Sequence, residues 1–220
     1  MIGTRTINAL GAGVSACLGA LVLTSAPAQA HPHIFAEARL EVTVGENGVE
    51  ELRHVWRFDP YFSSTVMLEF DANTNLELEE SELVQIGETV KQSLSEFDYY
   101  TSVLKDGADL AIQAPEQIYA NFEDGQLLLF FAVKPEEPMP LDGTLSFGVY
   151  DPTMYAALDF VNDSDLVVLG EAEGCASSVV RPDPDKIIAE NQGSLTDAFF
   201  NDPEGYDVTK LFATRLELAC

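Results

Sequence analysis

The sequence predicts an α+β fold, mainly antiparallel β in a sandwich-like arrangement, with one helix–loop–helix inserted after the first hairpin. Apolar and polar residues alternate in the first strand-like segments, the pattern of strands buried on one face. Two segments with apolar residues at three- and four-residue spacing follow, as in helices. After residue 99, Asp-Gly pairs separate short apolar runs, which is typical of strands connected by hairpins.

Residues 1–30 fit a secretory signal peptide. Arg5 supplies the positive start, Ala9 to Leu23 is apolar, and Ala28-Gln29-Ala30 matches a signal-peptidase site. We therefore expect export to the periplasm and a single domain over residues 31–220.

A lipoprotein box at Val14-Ser15-Ala16-Cys17 is the alternative cleavage site. That alternative leaves a short apolar region before Cys17 and an apolar stretch, Leu18 to Leu23, after it. No other stretch is long enough and apolar enough to span a membrane, so the mature chain is expected to have no membrane span of its own.

The first hairpin is indicated by two alternating segments around Asn47-Gly48. Matching their apolar faces places Val42 opposite His54 and Leu40 opposite Trp56, which requires a three-residue loop or a bulge. In this register His54 faces the core. The opposite face carries His33, Glu37 and Asp59.

Asp59-Pro60 is typical of a helix N-cap followed by proline at the first helical position. We expect a short helix from there to about Phe70. A second helix is predicted from apolar residues at helical spacing, namely Leu83, Ile86, Val90, Leu94 and Phe97.

The remainder is predicted to be mostly β. The expected strands are Tyr99 to Leu104, Gln117 to Phe122, Leu127 to Val133, Thr144 to Tyr150, Leu158 to Phe160 and Leu166 to Leu169. Near the C-terminus we expect a short helix around Leu195 to Phe200, and a strand or helix over Leu211 to Leu218.

The charge of the chain restricts its partners. It has 37 acidic and 11 basic residues and a formal net charge of −26. Nucleic acid and anionic lipid are poor partners for such a surface, and cations are good ones. Because the acidic residues are spread along the whole chain, most of this charge is explained by solubility alone.

Two cysteines remain after the leader, Cys175 and Cys220, an even number in an exported chain. We predict a disulfide between them. The alternative, a cysteine metal pair, is disfavoured because the surrounding sequence contains no histidine.

The mature chain would begin with His31-Pro32-His33, and two of the three histidines therefore lie at its start. Pro32 has no N–H, so the square-planar wrap of amino-terminal copper and nickel motifs is blocked. A chelate by the α-amine and the His31 ring, completed by another imidazole, stays open. Such ligands suit zinc, nickel, cobalt and copper. The alternative is a frayed terminus with two exposed histidines.

His54 is a weaker candidate ligand, because a lone histidine on an apolar face is more often a core residue held by hydrogen bonds.

Residues 71–82 resemble the calcium loop of an EF-hand. The candidate calcium ligands are Asp71, Asn73, Asn75, Glu77 and Glu82. Leu76 stands where that loop needs a left-handed glycine, so we expect calcium binding to be weak or absent and the hand to be degenerate.

Several of these motifs occur in an order that resembles a known bacterial family. They are the leader ending at His31-Pro32-His33, Trp56-x-Phe58-Asp59, the loop Asp71 to Glu82, and Tyr150-Asp151-Pro152-x-x-Tyr155. The chain resembles periplasmic proteins of unknown biochemical function, described as periplasmic components of an uncharacterised ABC-type transport system. Members occur beside, or fused to, NicO-type nickel/cobalt permeases, and ZevA-like proteins of zinc uptake belong to this group. The family usually has glycine where this chain has Leu76.

The resemblance implies a role in transition-metal transport together with a membrane permease, and not an enzyme. His31 and His33 would hold the metal, and Asp59, Asp151 or Glu37 would complete its shell. Trp56 and Tyr155 would pack around the site. Two alternatives stay open: a copper chaperone or copper enzyme with an N-terminal histidine chelate, and a structural adaptor that contacts the permease without metal.

Overall fold

The first two strands form a hairpin. Along each strand every second side chain is apolar and faces the core, so pairing the strands buries one common apolar face. In the computed structural model, which describes residues 32–201 and 209–220, β1 (Ile34–Gly45) and β2 (Gly48–Phe58) run antiparallel. The turn residues are Glu46 and Asn47. Gly48 follows at a φ of 113°, and a Cβ there would lie 1.9 Å from the carbonyl oxygen of Met139. The hairpin predicted at Asn47-Gly48 is thus confirmed.

The register of this hairpin differs from the predicted one by two residues. His54 lies opposite Leu40, and Trp56 lies opposite Ala38. The predicted pairing of Val42 with His54 is therefore wrong, although the predicted irregularity is present between Thr43 and Val44. His54 faces the core in either register, because a shift of two residues keeps every side chain on the same face.

The hairpin is the centre of a seven-stranded sheet. Its other strands are short β5 (Ile112–Gln113), β6 (Tyr119–Glu123), β7 (Gln126–Pro135), β9 (Ala156–Asp159) and β10 (Leu166–Leu169). β7 pairs with β2 along one edge. Along its other edge, β7 pairs with both β6 and β5. The outer edge of β1 pairs in parallel with β9 and then with β10.

A second sheet of five strands packs against the first. In sheet order its strands are β11 (Ala176–Val180), β12 (Arg215–Ala219), β8 (Thr144–Val149), β3 (Thr101–Lys105) and β4 (Ala108–Asp109), all antiparallel. The core lies between the two sheets and includes Leu40, Trp56 and Phe147. The predicted α+β fold with a sandwich-like arrangement is confirmed.

The inserted helix pair follows the hairpin as predicted. α1 (Pro60–Phe70) begins at Asp59, whose Oδ1 accepts hydrogen bonds from the N–H groups of Tyr61 (2.8 Å) and Phe62 (3.0 Å). α2 spans Glu80–Ser93 and ends before Phe97. Phe97 instead belongs to a separate 3₁₀ segment, Ser95–Tyr100.

The C-terminal region contains α3 (Pro184–Asn201), which is longer than the short helix predicted near residues 195–200, and α4 (Thr209–Phe212). The predicted disulfide is confirmed, since Cys175 and Cys220 are joined immediately outside the paired ends of β11 and β12. The described residues belong to one unit, His31–Cys220. Within 32–201 and 209–220, no helix combines the length and the apolar character needed to cross a bilayer.

Candidate metal centre

His33 lies exposed at the start of β1 and is positioned by Tyr155. The His33 N–H donates to the Tyr155 carbonyl oxygen (2.8 Å), which also accepts the N–H of Ile34 (3.2 Å). The two rings are also in contact, with centroids 5.1 Å apart and planes inclined by 43°. His31 lies outside the described residues. Of the predicted histidine pair, the structure therefore places His33, at a fixed backbone position with its ring against an aromatic neighbour.

Asp59 lies next to β1, and its carboxylate stabilises the backbone of its neighbours. Its Oδ1 caps α1, and its Oδ2 accepts the N–H of Phe35 at 3.2 Å. The Asp59 N–H in turn donates to the Phe35 carbonyl oxygen at 2.9 Å. Both carboxylate oxygens are therefore engaged with backbone donors, and this predicted ligand joins the helix pair to the start of β1.

Asp151 is buried, with 3 % of its surface exposed. One of its oxygens accepts the N–H and the hydroxyl of Thr153, both at 2.7 Å, and the other accepts the N–H of Ala156 at 2.8 Å. Burial, followed by the charge of Asp151 and a hydrogen bond to it, raises the pKa of Tyr100 above its usual value. Tyr100 is therefore a neutral donor to Asp151. The carboxylate thus shapes the turn that presents Tyr155 to His33.

Backbone strain is concentrated on both sides of this Tyr100–Asp151 pair. Asp98, Tyr99 and Tyr100 have consecutive φ values of 48°, 51° and 55°, and Met154 has a φ of 59°. The left-handed conformation costs a non-glycine residue about 1–2 kcal/mol. Sequence reasoning missed this feature because no glycine marks it. Trp56 stacks on Tyr100, with centroids 6.1 Å apart, so it supports this turn.

The two weaker candidates lie away from His33. His54 is opposite Leu40, seven residues along β1 from His33, or about 23 Å at the usual strand rise. Glu37 is exposed and forms an ion pair with Arg57. It is four residues from His33, about 13 Å along the strand.

His54 is instead a core residue with 1 % exposure, stacked on Phe131 at 4.5 Å. Its Nε2 lies 3.2 Å from the Thr101 hydroxyl, which itself donates to the Tyr99 carbonyl oxygen. Because that hydroxyl donates to Tyr99, we assign the ring proton to Nε2, and Nδ1 has no hydrogen-bond partner among the described residues. Desolvation by burial lowers the pKa of His54 to about 3.

This arrangement favours imidazole ligands over carboxylates. In the described part of the chain, no three histidine, cysteine, aspartate or glutamate side chains come together as a ligand set. Asp59 and Asp151 each already accept three hydrogen bonds from neighbouring groups, in addition to the Tyr100 contact of Asp151. A metal at this end of β1 would consequently depend on His33 and on ligands other than these two carboxylates.

The loop between α1 and α2 has the backbone of a calcium loop. Asp71 accepts the N–H groups of Asn75 (3.1 Å) and Leu76 (2.7 Å), and Asn75 Oδ1 accepts the N–H of Glu77 (2.8 Å). Glu82 closes the loop by accepting the N–H of Ala72 at 2.9 Å. The loop is therefore ordered by its own side chains.

Glu79 adds a second layer of contacts to this loop. Its carboxylate accepts the side-chain amides of Asn73 (2.9 Å) and Asn75 (2.7 Å), and its N–H donates to Glu82 (2.9 Å). Hydrogen bonding with the Glu82 side chain, and then with the two asparagines, lowers the pKa of Glu79 to about 2. The Glu79 carboxylate therefore stays ionised at acidic pH values where an ordinary glutamate would begin to take up a proton.

Leu76 has a φ of 64° and is 68 % exposed, so the left-handed position predicted for it is present. We expect calcium binding by the native loop to be weak or absent, and Leu76→Gly to tighten it by removing strain of about 1 kcal/mol. Calorimetric calcium titration of both proteins measures this. Leu76→Ala removes the side chain but keeps the strain, so it should bind as the native protein does. Tight binding by native protein, or no gain with glycine, contradicts this expectation.

Comparison with known proteins identifies the family. Residues 16–220 match the family model described as a protein of unknown function, DUF1007. A protein of Haemophilus influenzae described as uncharacterized is 25 % identical over 196 residues, which cover 87 % of this chain and 91 % of that relative. Because the family model covers nearly the whole sequence, the chain belongs to the DUF1007 family of proteins of unknown function.

Proposed function

We propose that this chain is an exported, non-enzymatic accessory protein that binds a divalent transition metal at its N-terminal histidines. Zinc, nickel, cobalt and copper are the candidate ions, because imidazole and amine ligands suit all four. The observation that carries the proposal is the presentation of His33, which is exposed at the start of β1 while Tyr155 holds its backbone and contacts its ring.

Two features near His33 define the ligand set in this proposal. The carboxylates of Asp59 and Asp151 stabilise turns and caps, so they anchor the site without binding the ion. His31, two residues before His33, supplies its ring and the free α-amine released by leader cleavage. A metal displaces the amine proton readily, because the reference pKa of an α-amine is about 8.

The metal is cargo in this proposal, passed to or received from a membrane permease of the NicO type. That partner follows from the resemblance of the motifs to periplasmic transport components. The strongly acidic surface, with a formal net charge of −26, would also raise the local concentration of cations. The alternative function, a copper chaperone or enzyme, uses the same chelate and differs by redox activity of its copper-loaded form.

The test compares mature protein beginning at His31 with a form carrying one extra residue before it. The extension converts the basic amine into an amide and keeps every side chain. We expect zinc, nickel and copper affinities to fall by about tenfold or more, as is usual when a metal site loses even a supporting group. Competition titration with a chelating dye measures the affinities.

Two variants separate the ligands from the scaffold. His33→Ala should weaken binding as strongly as the extension does. Glu37→Gln removes the charge of an exposed carboxylate that lies about 13 Å along β1 from His33, so it should leave the affinity unchanged. Equal affinities of the native and extended proteins contradict the amine chelate, and unchanged binding by His33→Ala contradicts the metal site as a whole.

A further inference from the structure

A cavity of about 480 Å³ lies between the helix pair and the first sheet. Its deep wall is formed by Trp56, Ile86, Leu127 and Leu129, each only 1 % exposed. Native cores contain few voids larger than a water molecule, and unfilled space forfeits dispersion contacts of the surrounding side chains. The volume falls within the range of small-molecule sites. This cavity is therefore larger than an ordinary packing defect.

The charge of the lining restricts the occupant. Glu69 is the one charged residue among the described residues that line the cavity, and it is exposed on α1. The other polar groups toward solvent are hydroxyls, such as those of Thr65 and Thr89. In a chain with a net charge of −26, an anionic ligand would be repelled and would find no cationic partner here. The lining therefore suits an uncharged, mainly apolar molecule.

Trp56 provides a second observation. Its indole N–H is buried and has no hydrogen-bond partner among the described residues. Buried tryptophan N–H groups usually have a partner, and leaving such a donor unsatisfied costs about 1–3 kcal/mol. A residue that lines the cavity therefore carries one donor with no partner among the described groups.

We propose that this cavity binds an uncharged, mainly apolar small molecule. The volume, within the range of small-molecule sites, and the single charged residue among the described lining residues favour a compact uncharged ligand over a partner protein. The proposal does not depend on the metal function, although Tyr155 lies at the cavity rim and its ring contacts His33.

Trp56 makes the test site-specific, because it is the single tryptophan of the chain. N-phenyl-1-naphthylamine, an uncharged apolar probe, should quench Trp56 fluorescence saturably and gain emission by energy transfer. The anionic analogue 8-anilinonaphthalene-1-sulfonate has similar rings and a sulfonate. It should bind about tenfold more weakly or worse, since the site has no cation for it. Unsaturable quenching, or equal binding of both probes, overturns the proposal.

A matched pair of variants on α2 locates the binding. Val90 lines the cavity and is half-buried, whereas Val84 is 42 % exposed and does not line it. Val90→Phe should fill the cavity and weaken probe binding by about tenfold or more, and Val84→Phe should leave it unchanged. Equal binding by the two variants overturns the proposal.

Two further measurements keep the test decisive. Circular dichroism establishes whether Val90→Phe is folded, and if it is not, the comparison of the two probes on native protein decides. Sedimentation at several protein concentrations detects self-association. If dimer formation alone changes Trp56 emission and blocks the probe, the occupant is a second copy of the chain and the small-molecule proposal is wrong.

Discussion

The free energy of unfolding is expected to fall by about 2 kcal/mol as the pH is lowered from 6.5 to 5, chiefly because of His54. Burial lowers the pKa of this imidazole to about 3 in the folded protein, whereas the unfolded chain has the ordinary value of 6.5. Between these values the unfolded state binds the extra proton. The part of the unfolding free energy that depends on a neutral His54 is therefore present above pH 6.5 and is lost progressively as the pH falls toward 3.

The chosen pH window separates His54 from the acidic surface. Protonation of the 37 acidic residues relieves their mutual repulsion in acid, which opposes the His54 effect. Carboxylates titrate mainly below about pH 5, given their reference pKa values near 4. Between pH 6.5 and 5 the buried imidazole should consequently dominate, and the slope of unfolding free energy against pH should rise from about 0.7 kcal/mol per unit at pH 6.5 to about 1.4 kcal/mol per unit at pH 5.

His54→Leu should abolish most of this slope. The leucine fits the apolar surroundings of Phe131, and the Thr101 hydroxyl keeps its hydrogen bond to the Tyr99 carbonyl oxygen. Urea denaturation at several pH values measures the slope. His33→Gln is the control, because that histidine is exposed and its replacement should leave the slope in place. An unchanged slope in His54→Leu would show that another group causes the acid sensitivity.

Gly87→Ala is expected to destabilise the protein by about 1–3 kcal/mol, the usual cost of an overpacked core. Within a helix this substitution normally stabilises by up to about 1 kcal/mol. Gly87 is buried in α2, and a Cβ there would lie 2.0 Å from the carbonyl oxygen of Ile118. Because that oxygen belongs to the backbone, α2 must move away from the segment before β6.

Gly193→Ala is the matched control for this substitution. Gly193 lies in α3 and is exposed, and among the described residues no atom would lie within 4 Å of an added Cβ. We expect it to leave stability unchanged or to raise it by up to about 1 kcal/mol. Chemical denaturation of both variants gives the comparison. Effects of the same sign would mean that the close approach of α2 to Ile118 does not limit packing.

The sequence predicted which face of each early strand is buried, but not the pairing of the strands. Alternation has a period of two residues, so it distinguishes the core face from the solvent face. A shift of two residues leaves that alternation unchanged. Placing His54 opposite Val42 or opposite Leu40 therefore satisfies the apolar pattern equally well. The choice depends on where the bulge near Thr43 falls, which no local pattern specifies.

The helix cap could be predicted because it depends on two neighbouring residues. The disulfide could be predicted because only one pairing of cysteines was possible. Asp59-Pro60 is a local signal for a helix start, and the two cysteines after the predicted leader have one possible pairing. The resemblance places Tyr155 at the His33 site, but the Tyr100–Asp151 pair that supports it could not be predicted in the same way. Tyr100 is fifty-one residues from Asp151 in the sequence, and its left-handed backbone is not marked by a glycine.

The pairing of β1 on both of its edges has a consequence for the order of events during biosynthesis. One edge is completed by β2 within a few residues, whereas the other awaits β9 and β10, more than 110 residues later in the chain. Non-local pairing of this kind slows folding. The strand beside the predicted leader therefore cannot finish its sheet until most of the polypeptide has been synthesised. Slow completion of the sheet would keep the chain in the unfolded form that threading through an export channel requires, as the predicted leader implies.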